Sequence, residues 1–253
     1  ALRRFVLGGM AMVVVVSVTI VATNGALPLY PKEVRPFFLA AKERGPFRCP
    51  ISFRLRDPEA ELCPLTEDRG DLGILVLGDS HADMLDEMLA DIADKLDQPI
   101  FLAVRNCDYG YFGQSSFCSD QILTEVIETA KRSGISTVLA ISLWPKDLSY
   151  DALVEETALL VDADLRLVIM ESVPSNPSLD PIRRARTALE TGTAPSLVGL
   201  PVEVYQEHTL SQRTAFAALA EGFPDHVMVL SPQSYFCDDD ACRFHTDGLP
   251  NYR

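Results

Sequence analysis

Positive charge is scarce in this sequence beside negative. Twenty-two Lys and Arg stand against 36 Asp and Glu, a formal net charge of -14. An acidic surface of that size repels phosphate backbones, so nucleic acid is not an expected partner. The chain has no C-x2-C pair, so the spacing of a zinc knuckle is missing. No internal repeat or low-complexity tract interrupts it. Charge of either sign is absent from Phe5 to Tyr30.

What is present suits one globular domain with an appendage: 253 residues, 47% hydrophobic. The uncharged run contains "MAMVVVVSVTIVA", apolar on every face. About 20 such residues cross a bilayer as a helix. Arg3 and Arg4 precede the run, so the positive-inside bias places Lys32 onward outside the cytoplasm. We expect a transmembrane helix within residues 1–27, meeting the membrane through residues 5–23. A signal peptide with "ATNGA" as its cleavage region is the alternative. The first residue is Ala rather than Met, which points to a sequence that continues upstream. Six cysteines fall into three local pairs: Cys49 and Cys63, Cys107 and Cys118, Cys237 and Cys242. Each has its nearest partner across a loop, so three disulfides in an oxidising compartment are expected, against the alternative of unpaired core thiols.

Residues 28–72 read as an irregular connector. Pro28, Pro31, Pro36, Pro46, Pro50, Pro58 and Pro64 are too many for a continuous helix or a central strand. Only "FFLAAKERG" suits a short helix, and a Cys49–Cys63 bridge would staple the connector to the domain.

From residue 73 to 253 the pattern is regular. Apolar runs at Ile74–Leu77, Ile100–Val104, Thr137–Leu143, Leu165–Met170 and Val227–Leu230 predict strands. They alternate with helix-period segments at Ala82–Leu96, Gln121–Arg132, Ala152–Val161, Ile182–Glu190 and Ser211–Glu221. In the first of these helices Leu85, Met88, Leu89, Ile92 and Leu96 form one stripe. Strands apolar throughout are those of a parallel sheet covered on both faces. The expectation is an α/β three-layer sandwich with a mostly parallel sheet.

The junction "ILVLGDSHADML" places Ser80 just past the first strand, at the start of a helix. Reactive groups of such sheets gather at that edge. The helix-start N–H groups, that of Ser80 among them, suit a developing oxyanion. A helix N-cap at Asp79 or Ser80 explains the same residues. Spacing alone leaves both readings open.

"GDSHADML" resembles the first block of the SGNH (GDSL-like) hydrolase superfamily, whose nucleophilic serine takes the place of Ser80. "RNC" at Arg105–Cys107, "AISLW", "VIMESVP" and the closing "GLPNYR" in this order resemble the extracytoplasmic SGNH domain of acyltransferase-3 membrane proteins. The resemblance implies a flavodoxin-like SGNH fold and an O-acyltransferase acting through acyl-Ser80 on a cell-surface or secreted glycan. It implies no cofactor or metal. It also implies an N-terminal membrane domain that supplies the acyl donor, and a bacterial inner-membrane location with this domain in the periplasm or outside the cell. Two alternatives remain: a secreted or periplasmic SGNH esterase, or a glycan-binding module with a dead site.

The match has departures. The superfamily's G-x-N-D block is absent, which leaves Asn106 as an oxyanion candidate or an ordinary loop residue. Trp144 is either a wall of an acyl or sugar site or an ordinary partly buried aromatic. His81 either orients the serine loop or is an ordinary first-turn polar residue. The superfamily's general base lies in D-x-x-H, yet Gly78, Tyr205, Phe223 and Cys242 stand three residues before the four histidines. We therefore expect the catalytic Asp and His beyond Arg253, with His245 and Asp247 as the late substitutes within the chain.

Overall fold

The computed structural model describes residues 12–13, 16–18, 27–42, 49, 51–58, 60–65, 73–83, 85–103, 107, 109–110, 112, 118–145, 148–175, 180–243, 245–246 and 249–250. The chain divides into two compact units, one of residues 1–43, 176–198 and 244–253, the other of residues 44–175 and 199–243.

The larger unit is built on a six-stranded sheet. Its strands are β1 (Leu62–Pro64), β2 (Gly73–Gly78), β3 (Ile100–Ala103), β4 (Ile135–Ile141), β5 (Arg166–Met170) and β7 (Val227–Leu230), in the order β1-β3-β2-β4-β5-β7. All pairings are parallel except that of β1 with β3. β6 (Leu200–Pro201) forms a separate antiparallel pair with β8 (Ala241–Cys242).

Because β2 is flanked on both sides, its side chains alternate between two buried faces. Leu75 and Leu77 join the core made with α5 (Asp120–Arg132), α6 (Tyr150–Asp162) and α8 (Val202–Gly222). Val76 faces the opposite layer with Leu89 and Ala93 of α4 (Asp86–Leu96). This is the three-layer packing expected of apolar parallel strands. The chain runs from β2 to β3 on one side and returns to β4 on the other. The order therefore reverses beside β2, and a crevice is expected at its carboxyl end.

The smaller unit contains α1 (Arg35–Lys42), α7 (Pro181–Thr191) and a hairpin of β9 (His245–Thr246) and β10 (Leu249–Pro250). Val34 and Phe37 pack on Ala185 and Ala188. α7 starts where its cap dictates: the Asp180 carboxylate accepts from the N–H groups of Ile182 (2.7 Å) and Arg183 (3.3 Å), and Pro181 fills the first turn.

Several expected elements change on folding. The helix expected over Ala82–Leu96 is two, α3 (Ser80–Asp83) and α4, and Met88 and Leu96 of its stripe are exposed. α8 starts nine residues before the expected Ser211, at Val202. Within residues 28–72, α2 (Ile51–Arg56) and β1 form beside the expected short helix. β1 is an edge strand, where Pro64 costs no ladder bond on its free side. Among the described residues no helix is long and apolar enough to cross a membrane. The expected span lies largely outside them, with residues 12–13 and 16–18 helical.

Candidate active site

The carboxyl end of β2 is held by contacts that only particular residues allow. Gly78 lies so close to β4 that a Cβ there would sit 1.6 Å from the Ile141 carbonyl oxygen, at a φ of +153°. Only glycine fits. Asp79 follows and stitches the turn in two directions. Its Oδ1 accepts from the His81 backbone N–H at 2.7 Å and pairs with His81 Nδ1 at 3.1 Å. Its Oδ2 accepts from the Leu143 N–H at 3.0 Å, just past the end of β4. Burial of Asp79 works to raise its pKa. The hydrogen bonds from the His81 ring, Leu143 and the His81 N–H outweigh it and hold the carboxyl below the ordinary range. The helix cap is thus Asp79, and the Ser80 backbone opens the single turn of α3 directly at the sheet edge.

The neighbouring strand ends are equally fixed. The Trp144 N–H donates to Ser172 Oγ at 3.2 Å, its Nε1 donates to the Met170 carbonyl at 2.8 Å, and its ring meets Phe216 edge-on. Trp144 is buried. It belongs to the core cluster and is more fully buried than the partly buried aromatic expected. Ser172 is bound further by Gln212 Oε1, which accepts its N–H at 3.0 Å, and by the Tyr205 hydroxyl, which donates to its carbonyl at 3.0 Å. Burial and the charge of Glu171 push the Tyr205 phenol up to about 12, with Arg213 acting the other way. Arg213 reaches Glu171 Oε2 (3.2 Å) from Nε, and Ser231 Oγ (3.3 Å) and Gln233 Oε1 (2.5 Å) from Nη2. These bonds tie the ends of β5 and β7 together.

After β3, the Cys107–Cys118 bridge closes a loop. Within it, Tyr109 shares a 2.9 Å hydrogen bond with Thr157, and the N–H groups of Gly110 (2.6 Å) and Phe112 (2.8 Å) donate to Glu156. Burial, aided by Asp120 and Glu155 and opposed by those two N–H donors, raises the Glu156 pKa to about 8. Asn106 lies outside the described residues. The other bridges join Cys49 to Cys63 and Cys237 to Cys242.

Of the histidines, His81 alone is brought to the Ser80 turn within the larger unit. His226 immediately precedes β7 and so sits at the amino edge of the parallel sheet, and His208 is exposed on α8. The backbone of His245 belongs to β9 of the smaller unit, and Asp247 lies outside the described residues. Among the described residues no group of three or more His, Cys, Asp or Glu is placed to hold a metal ion. Sequence reading missed Glu156. Its signal was present, because Leu153, Glu156, Thr157 and Leu160 fall on one buried helical stripe.

A turn of this kind, at the carboxyl edge beside the strand-order reversal of a parallel sheet, is where open α/β proteins bind their ligands. The family model of the SGNH domain fused to AT3 domains matches residues 48–253. The chain belongs to that family. Among solved structures it is similar to the periplasmic domain of a lipopolysaccharide acetyltransferase from Salmonella ser. Paratyphi A. The match has a TM-score of 0.52 and 19% identity, and covers 73% of this chain and 75% of that one. At that identity it speaks for the fold alone. No curated protein matches the chain.

Proposed function

We propose that this chain carries an SGNH-type serine O-acyltransferase domain. It moves an acyl group, acetyl in the first instance, onto a hydroxyl of a cell-surface or secreted glycan. The observation that carries the reading is the place of Ser80. It opens α3 at the carboxyl end of β2, beside the strand-order reversal, in a turn that Gly78 and Asp79 fix and that Asp79, not Ser80, caps. Family membership supports the chemistry, and the acetyltransferase neighbour shares the fold.

In this mechanism Ser80 Oγ attacks the acyl carbonyl of the donor and its proton passes to a histidine base. The base hands that proton to the donor's leaving group, which departs, and the Ser80 N–H helps hold the oxyanion. A glycan hydroxyl then attacks acyl-Ser80, its proton passes to the same base, and Ser80 Oγ leaves and is reprotonated. No Asp-x-x-His occurs in the chain, so the base is proposed to lie outside residues 1–253. The acyl donor arrives through a fused membrane acyltransferase domain. Three disulfides suit a domain in an oxidising, extracytoplasmic compartment.

The test is Ser80→Ala in the complete protein. Acyl transfer and labelling by a serine-directed phosphonate should both vanish, with the melting temperature nearly unchanged. Turnover at the wild-type rate in that variant would eliminate Ser80 as the nucleophile.

A further inference from the structure

The loop between β3 and α5 is anchored away from the two elements it connects. It leaves β3 beside β2, whose parallel register sets Val76 opposite Leu102. Beyond β3, Cys107 is bridged to Cys118, which stands just before α5. Its polar anchors lie instead on α6, the helix that joins β4 to β5. Glu156 accepts the Gly110 N–H through Oε2 at 2.6 Å and the Phe112 N–H through Oε1 at 2.8 Å, and the Tyr109 hydroxyl bonds Thr157 at 2.9 Å. Gly110, at a φ of +86°, comes so close to the start of α6 that an added Cβ would lie 2.9 Å from Leu153 Cδ2 and 3.3 Å from Leu148 Cδ1. β2 and β4 stand between β3 and β5 in the sheet. A loop rooted in β3 and tied to α6 therefore reaches across the carboxyl end of β2. Accordingly, Cys107, Tyr109, Phe112 and Cys118 share one core cluster with Leu77 of β2 and with Trp144.

We infer that Glu156 is a positioning residue for acyl transfer: it holds the Cys107–Cys118 loop in place as a wall of the site at the carboxyl end of β2. The disulfide ties the two ends of the loop to each other but not to the sheet. Two backbone N–H bonds to one carboxyl, itself 3% exposed, fix the loop's position and tilt against α6. A wall set before substrate arrives supplies the orientation that a reaction otherwise loses to motion. The inference rests on the acyltransferase reading and adds to it a residue that acts through the loop.

The experiment measures kcat/KM of the complete protein with p-nitrophenyl acetate, at a temperature where circular dichroism shows each variant folded. Glu156→Gln keeps one acceptor and should lower kcat/KM about tenfold, and Glu156→Ala about 100-fold. Leu219→Ala is the stability control. Leu219 is buried in the same core near the end of α8 that leads into β7, at the opposite edge of the sheet. Its loss should destabilise the fold as much as Glu156→Ala or more, yet leave kcat/KM near the wild-type value. Wild-type kcat/KM in both Glu156 variants overturns the inference. So does a loss in Leu219→Ala equal to that in Glu156→Ala, because activity would then follow stability alone. A further measurement needs no variant: a phosphonate attached to Ser80 should slow hydrogen exchange at the Gly110 and Phe112 amides of the wild type. Unchanged exchange there also overturns the inference. Absence of acetyl-Ser80 by mass spectrometry in the wild type sinks the acyltransferase reading itself, an outcome separate from all of these.

Discussion

Asp79 Oδ2 and the Leu143 N–H meet at 3.0 Å and join the ends of the two central strands beside the Ser80 turn. Asp79→Asn would place an amide N–H2 against Leu143 or His81, leaving a donor without an acceptor. The expected cost is about 1–3 kcal/mol. Because the native carboxyl titrates below its ordinary value, its stabilisation is present above about pH 4 and fades as pH falls through the native value. The melting-temperature gap between wild type and Asp79→Asn should thus be widest near neutrality and close in acid. A gap that stays constant down to pH 3 would show that the charge plays no part.

Gly78→Ala should be far costlier than an ordinary glycine substitution. Its Cβ would fall 1.6 Å from the Ile141 carbonyl oxygen, and β2–β4 pairing leaves that backbone no room to retreat. Gly192 offers the comparison: φ is +67°, but nothing lies within 4 Å of an added Cβ. Gly192→Ala bears only left-handed strain, about 1–2 kcal/mol. Gly78→Ala should exceed it clearly in urea unfolding, since overpacking adds about 1–3 kcal/mol or more. Equal losses at the two sites would contradict the close approach.

The contrast shows what the sequence could announce and what it could not. The central strands were legible because a strand covered on both faces must be apolar at every position; the edge strand Val227–Leu230 also has the bounds read from sequence, although Met228 and Leu230 are exposed. The strand-to-helix turn at Ser80 was legible because Gly-Asp-Ser follows such a run. α8 was read short because its first turns carry Glu203, Gln206, Glu207 and His208 on an exposed face, which masks the buried Val202, Tyr205 and Thr209. β1 escaped because three residues ending in proline pair only at an edge supplied by β3. The bonds of Asp79 to Leu143 and of Arg213 to Glu171 span 64 and 42 residues, and no local pattern encodes such partners.

Glu156 yields the last prediction. It is 3% exposed, accepts two loop N–H groups, and has a pKa raised to about 8. In the unfolded chain the same carboxyl titrates near 4.3. Between those values the folded protein holds a proton that the unfolded chain has lost. Stability is therefore full below about pH 4.3 and falls as pH rises toward 8, by up to about 1.4 kcal/mol per pH unit. Glu156→Gln has no proton to lose. It gives up one of the two N–H acceptors, for about 1–3 kcal/mol at low pH, yet lacks the downward slope. Wild type should be the more stable at pH 5, and its advantage should shrink or reverse by pH 8. Hydrogen exchange at the Gly110 and Phe112 amides should follow the same course, because these are the bonds the carboxyl holds. Parallel stability curves for the two proteins from pH 5 to 8 would mean that Glu156 is ionised throughout, held as an anion by its two N–H donors.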